Sequence, residues 1–428
     1  MSSLLGSMYT GNSGIQVNGI GVSVVGDNIA NTNTTGFKAS RAHFQETFSQ
    51  MMVNTRGSDQ LGKGATLQRI EKMFSAGSFK ATGVPTDMAI NGDGFFITND
   101  PQQPGANMYT RAGAFRFDNE NYLVDPGGNR VQGFSAGTDG TVNTALGDIQ
   151  LDASMMPPSA TTTVEMQANL NPEPSEAGQP PDTFRQGMTI YDSTGVSRQV
   201  TAVFTPNAGN AGQWDVTLEV PTSDLAAPAD PNAEFESINV GSITFNDSGR
   251  LDQQNLNNPV AIGWNNAAAG AVSFDFGDDI QGGGTGASGV TQYALQPSQL
   301  SDLQTDGNAP GSLDGVIIDD QGRINMAYTN GETRIAGQVA LARFNDPTEL
   351  VSVGGNGFIA SPASGEAVVG NPGTGGRGAV QSGALEMSNV ELSEQFVDLI
   401  AFQRGYQGNA RTITTADNLL QEVIQLVR

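Results

Sequence analysis

The sequence predicts a multidomain fold: an α-helical, coiled-coil-like terminal domain formed by both chain ends, plus two mainly β domains nested in the middle. Three observations carry this prediction. Each end repeats apolar residues at alternating spacings of four and three. Short β-prone runs separated by turn residues fill the middle. Acidic charge concentrates in one central block.

In the N-terminal segment the repeat runs through Leu4, Met8, Ile15, Val22, Val25 and Ile29, with Gly11 and Asn18 at the remaining positions. That is a heptad seam. The C-terminal seam is longer: Phe396, Leu399, Gln403, Tyr406, Ala410, Ile413, Leu420, Ile424 and Val427, with Asp417 in the same register. Ser388 and Glu391 fit a capping box at its start. A helix from about 389 to 428 would be roughly 60 Å long. Neither helix is expected to be stable alone. Gly11, Gly14, Gly19, Gly21 and Gly26 interrupt the first, Gly405 and Gly408 the second, each costing about 1 kcal/mol relative to Ala. The seams are therefore expected to order on association, between copies of the chain in preference to an intramolecular hairpin.

Four central stretches share one form, a β-run, a turn signal and a second β-run. They are Phe115–Val124 (Asp118, Asn121), Thr189–Arg198 (Asp192, Gly195), Ile243–Leu251 (Asn246, Gly249) and Val316–Met326 (Asp319, Gly322). They read as hairpins. Composition breaks fall at 155–158, 172–181 and 282–289. Residues 151–290 then form an inserted domain, and 75–150 with 291–370 form the β domain that carries it. Residues 1–30 and 389–428 form the helical domain, and 31–74 and 371–388 are linkers.

The chain has 428 residues and a net charge of −24. Residues 151–290 carry 17 acids against three arginines, whereas residues 1–70 carry three acids and five bases. An acidic middle argues against nucleic-acid binding and against an anionic membrane. The longest apolar runs are too short to span a bilayer. The first Lys or Arg is Lys38, so the N-terminus does not read as a cleavable signal peptide.

Catalytic chemistry finds little support. Cysteine is absent and His43 is the single histidine, which excludes His/Cys metal sites by count and leaves a Ser-His-Asp triad without an elbow motif. The two Gly-x-Gly-x-x-Gly matches, at 284–289 and 373–378, lack the preceding hydrophobic strand of a dinucleotide site and read as flexible linkers. Asp275, Asp278 and Asp279 lack the remaining ligand pattern of a calcium loop. No catalytic residue, cofactor or metal is assigned.

One set of motifs points further. Residues 28–38, Asn-Ile-Ala-Asn-Thr-Asn-Thr-Thr-Gly-Phe-Lys, resemble the signature of bacterial flagellar axial proteins, the rod and hook family, through Asn28, Asn31, Thr35, Gly36, Phe37 and Lys38. Similar matches occur at 90–96, at 109–115 and from 388 to 417. Residues 304–311 and the long insertion are similar to hook-type members, with distal rod and hook–filament junction types as the alternative. A secreted β-rich adhesin or carbohydrate-active enzyme would need a cleaved signal or a catalytic pair. The resemblance implies a homopolymeric tube outside the cell, exported unfolded without a cleaved signal. It also implies contacts with the distal rod, the hook cap, the junction proteins and the flagellar type III export apparatus. Residues 1–30 and 389–428 would form the inner tube, with the seams as the subunit interface, and the linkers 31–74 and 371–388 would contact neighbouring subunits.

Overall fold

The computed structural model describes residues 2–47, 50–54, 57–103, 105–137, 140–152, 154–174, 182–210 and 212–426; the side chains of 2–5, 50–54, 57–61, 423, 424 and 426 are not among them. The seam position Val427 and the side chains of Leu4 and Ile424 thus lie outside the described residues. The chain is mostly β, with two helices packed on one another: α1 (Ser2–Ala30) and α2 (Leu392–Leu426). It forms two compact units. One comprises residues 1–153, 315–327 and 333–428; the other comprises 154–314 and 328–332.

In the first unit, a thirteen-stranded sheet places Arg130–Ala136 between Thr333–Val339 and Phe95–Asn99. Its core joins Phe95, Ile97, Tyr109, Ala342, Phe344 and Phe358. The rings meet edge to face, as their quadrupoles favour: Tyr109 and Phe344 at 4.7 Å between centroids, Phe95 and Phe344 at 5.8 Å. Two short ladders then bring the chain's halves together. Met88–Asn91 pairs with Ala379–Ser382, and Phe79–Ala81 with Ala384–Glu386. Nearer α1, Ser40–Glu46 pairs with Ala65–Lys72 across a bulge at His43 and Phe44.

The second unit holds a five-stranded antiparallel meander from Phe184 to Leu256 and a four-stranded sheet in which Thr163–Asn169 lies between Gly270–Asp275 and Gln299–Thr305. Strand Gln213–Pro221 alternates buried and half-buried residues without a break, the period-2 signature of one covered face. Trp214, Val216 and Leu218 from it join Val164, Met166, Phe274 and Phe276 in a core drawn from both sheets.

The four predicted hairpin turns share one hydrogen-bonded plan. The backbone N–H of Asn121, Gly195, Gly249 and Gly322 donates to the carbonyl of Asp118, Asp192, Asn246 and Asp319, at 2.9–3.1 Å. In each turn the first residue's side-chain oxygen accepts from the N–H groups two and four positions on. The closing residue has φ between +62° and +81°, which explains Gly at three positions and Asn at the fourth. The glycine-rich matches differ from the flexible linkers expected of them. Gly284 N donates to Asp279 O at 2.8 Å and Gly373 N to Gly378 O at 2.9 Å, so both are hydrogen-bonded loops.

Acid tests the second unit directly. Burial would raise the Asp192 carboxyl. Hydrogen bonds from the Thr194 hydroxyl and N–H, from Val196 N and from Arg198 outweigh burial and hold it below the usual aspartate range. Asp306 is likewise held low by Thr162 and Thr163 against its own burial. A depressed folded pKa contributes stability above the unfolded value of about 4, lost as pH falls through the folded value. Tm of this unit should therefore drop below about pH 4. Asp192→Asn should lower Tm at neutral pH and flatten that dependence; an unchanged acid slope in calorimetry would refute the assignment.

Candidate subunit-assembly site

The helices meet antiparallel. Contacts pair Gly11 with Ile413, Gly14 with Asn409, Asn18 with Gly405, Gly21 with Phe402 and Asn28 with Gln395. Two asparagines and two glycines make the centre reciprocal. Asn18 Nδ2 donates to Gly14 O at 2.6 Å and Asn409 Nδ2 to Gly405 O at 2.9 Å. Each carboxamide then lies over the other helix's glycine, where a Cβ would collide with it. The glycines that weaken each helix alone thus permit the close approach. The two helices pack on one another within the chain. The expected capping box is absent: Ser388 Oγ accepts from Val390 N at 3.3 Å, and α2 opens only at Leu392. The helix starts later because Asn389 is committed elsewhere. Its Oδ1 accepts from Ala39 N at 2.8 Å and its Nδ2 donates to Met73 O at 2.7 Å.

Below the helices, buried charge ties Lys38 to Glu386. Lys38 and Glu386, both fully buried, form a 2.6 Å ion pair, and Arg111 adds a second cation 3.4 Å from the other carboxylate oxygen. Lys38 also donates to Ser75 O at 2.7 Å, and Gly77 N donates to Glu386 Oε1 at 3.0 Å. Burial pushes the Lys38 ammonium below the usual lysine range, and Glu386 opposes that shift.

The internal contact leaves apolar surface on α2. Leu392, Phe396 and Ile400, spaced four apart on one face, are exposed, Phe396 by 50%. Tyr406, Val397 and Leu419 are exposed as well. Of the predicted seam residues, Val25 is buried, and Met8, Ile15, Val22, Ile29, Leu399, Ala410, Ile413 and Leu420 are half-buried. Phe396, Gln403 and Tyr406 are exposed. On α2 the predicted seam thus sits about a quarter turn round the helix from the face that meets α1.

Four family models match the sequence. They are "Flagella basal body rod protein" over residues 8–38, "Flagellar hook protein FlgE/F/G D1 domain" over 89–169, "Flagellar basal body protein FlaE D2 domain" over 150–308 and "Flagellar basal body rod FlgEFG protein C-terminal" over 381–426. Flagellar hook protein FlgE of Borreliella burgdorferi is 34% identical, covering 99% of this chain and 100% of its own. FlgE of Escherichia coli is 32% identical, over 97% and 98%. The chain belongs to the flagellar hook protein family. The fold agrees with the crystal structure of Helicobacter pylori flagellar hook protein FlgE2, at a TM-score of 0.52 and 15% identity, covering 72% of this chain and all of that one.

In this hook-family chain Asn28, Asn31, Thr35, Gly36, Phe37 and Lys38 of the 28–38 signature each make a defined contact. Asn28, buried where three segments meet, donates to Ser40 O at 2.8 Å and Gln395 Oε1 at 2.9 Å and accepts from Ser40 N at 2.8 Å. Asn31 Nδ2 donates to Asp27 O, closing the end of α1. Thr35 O accepts from Asn356 Nδ2 at 2.9 Å. Gly36, at φ +69°, presses on the Arg111–Ala112 backbone, where a Cβ would stand 2.5 Å from Ala112 N. Phe37 packs with Ala39 and Val390, and the Lys72 ammonium lies 4.6 Å from its ring centroid. Glu386, the partner of Lys38, was missed in the sequence reading. Glu386 lies 348 positions from Lys38, and no pattern around the lysine points to it.

Proposed function

We propose that this protein is the subunit of the flagellar hook, a tube of identical copies outside the cell that bends while transmitting motor torque to the filament. The observation that carries this reading is the exposed apolar stripe of α2, Leu392, Phe396 and Ile400, left uncovered after α1 has docked. Soluble chains rarely leave such a stripe to water, and a further copy can bury it. We read residues 1–30 and 389–428 as the inner tube, coiled-coil-like in the 3-4 spacing of its contact positions. Residues 31–74 and 371–388 are linkers contacting neighbours. The β domain comprises 75–150 and 291–370. The acidic outer domain comprises 151–290, with strand Gln299–Thr305 paired to it. Like-charged outer domains make weak, screened contacts, which suits sliding as a tube bends. The role is structural rather than catalytic. The distal rod, the hook cap, the junction proteins and the export apparatus are the remaining partners.

Phe396→Asp tests this. It charges a half-exposed position, so Tm of the subunit should stay within about 1 °C. Sedimentable tube should fall at least tenfold. Normal tube yield from the variant would remove the support for α2 as the assembly face.

A further inference from the structure

Residues 280–301 contain no Asp, Glu, Lys or Arg, although residues 151–290 hold 17 acids against three arginines. Within that neutral stretch Leu295 has φ +63° and is 85% exposed. Left-handed backbone is unfavourable for a branched side chain, and exposure brings no burial to offset it. The surroundings impose this conformation. Asn169 Oδ1 accepts from Tyr293 N at 2.8 Å and from the Thr291 hydroxyl at 3.2 Å. Its Nδ2 donates to the carbonyls of Tyr293, Gln296 and Pro297 at 3.2–3.4 Å. Leu170 N donates to Thr291 O, and Gln292 N to Gly249 O, both at 2.8 Å. The loop is thus clamped on both sides of Leu295, with Tyr293 exposed nearby. Strain held in place by its surroundings is a mark of function.

We propose that this leucine-tipped neutral loop is a contact between copies of the chain. Charge selects the occupant. A basic partner would be drawn to the acidic faces of the unit. A partner as acidic as this chain, at −24, is repelled by the acidic faces of the unit and approaches that unit most closely where charge is missing. A second copy is such a partner. The proposal rests on the assembly reading above and adds a second, outer contact to it.

Two substitutions separate folding from contact. Leu295→Asn suits the left-handed backbone and removes the apolar tip; Leu295→Met keeps an apolar tip in the same backbone. In the full chain, Leu295→Asn should melt at or above the wild-type temperature. Its critical concentration for tube assembly should rise about tenfold, as expected when burial of one leucine is lost. Leu295→Met should assemble close to wild type. Because the chain has no cysteine, Leu295→Cys carries a single polarity-sensitive dye, whose emission should shift to the blue in the tube. Leu295→Asn assembling at the wild-type concentration, beside an assembly-deficient Phe396→Asp, overturns this proposal alone. So does identical dye emission in tube and subunit. A wild-type chain that forms no tube overturns both readings.

Discussion

Truncation after Glu391 is expected to abolish tube assembly while leaving the unit of residues 154–314 folded. The cut removes all of α2 but keeps Glu386, Asn389 and Val390, so the junction around Lys38 retains its ion pair, its carboxamide bonds and its small apolar cluster. Unit 154–314 loses no residue, and its calorimetric transition should stay where it was. α1 loses its partner along Gly11, Gly14, Asn18 and Gly21. With five glycines in the first 30 residues beyond Gly6, it cannot hold a helix in water. Far-UV circular dichroism should therefore lose more helix than α2 alone contributes, and pelleting should recover no tube. Tubes of normal diameter, or unfolding of the 154–314 unit, would contradict this account.

The largest expected loss of subunit stability comes from Glu386→Ala. Glu386 is the carboxylate placed against both Lys38 and Arg111, each nearly or fully buried. Removing it leaves two buried cations without that counter-charge, a change that costs about 3–5 kcal/mol. Lys38→Met should cost less. Arg111 then still faces Glu386, and the methionine fills most of the lysine's space with apolar atoms. The direction of the Lys38 shift agrees. Its folded pKa is lowered, so its burial in the charged form is a cost carried at neutral pH and relieved as pH rises toward the unfolded value. Denaturant melts of the first unit should rank wild type, Lys38→Met and Glu386→Ala in falling order. Equal losses for the two variants would show that Glu386 acts through packing alone.

Much of the local structure was legible in the sequence. The hairpins at Asp118, Asp192, Asn246 and Asp319 were readable because an Asx side chain bonds N–H groups two and four positions on, inside a window that sequence displays directly. The helices at both ends were readable from apolar spacing, although α2 begins later than the Ser388–Glu391 pattern implied. Asn389 turns back to bond Ala39 and Met73, residues more than 300 positions away, and no local pattern records that.

The turns, the helices, the acidic middle and the signature of residues 28–38 can all be read along the chain. These depend on composition or on residues within a few positions of one another. Which faces of α1 and α2 meet follows from packing in three dimensions. Apolar periodicity marks greasy positions, yet the closest contacts use Gly14, Asn18, Gly405 and Asn409, because backbone approach depends on missing side chains rather than on hydrophobic ones. The tertiary structure also decided that Lys38 pairs with Glu386, 348 positions along the chain. A buried ammonium demands a carboxylate, but which one is set by the ladders that fold residues 79–91 against 379–386.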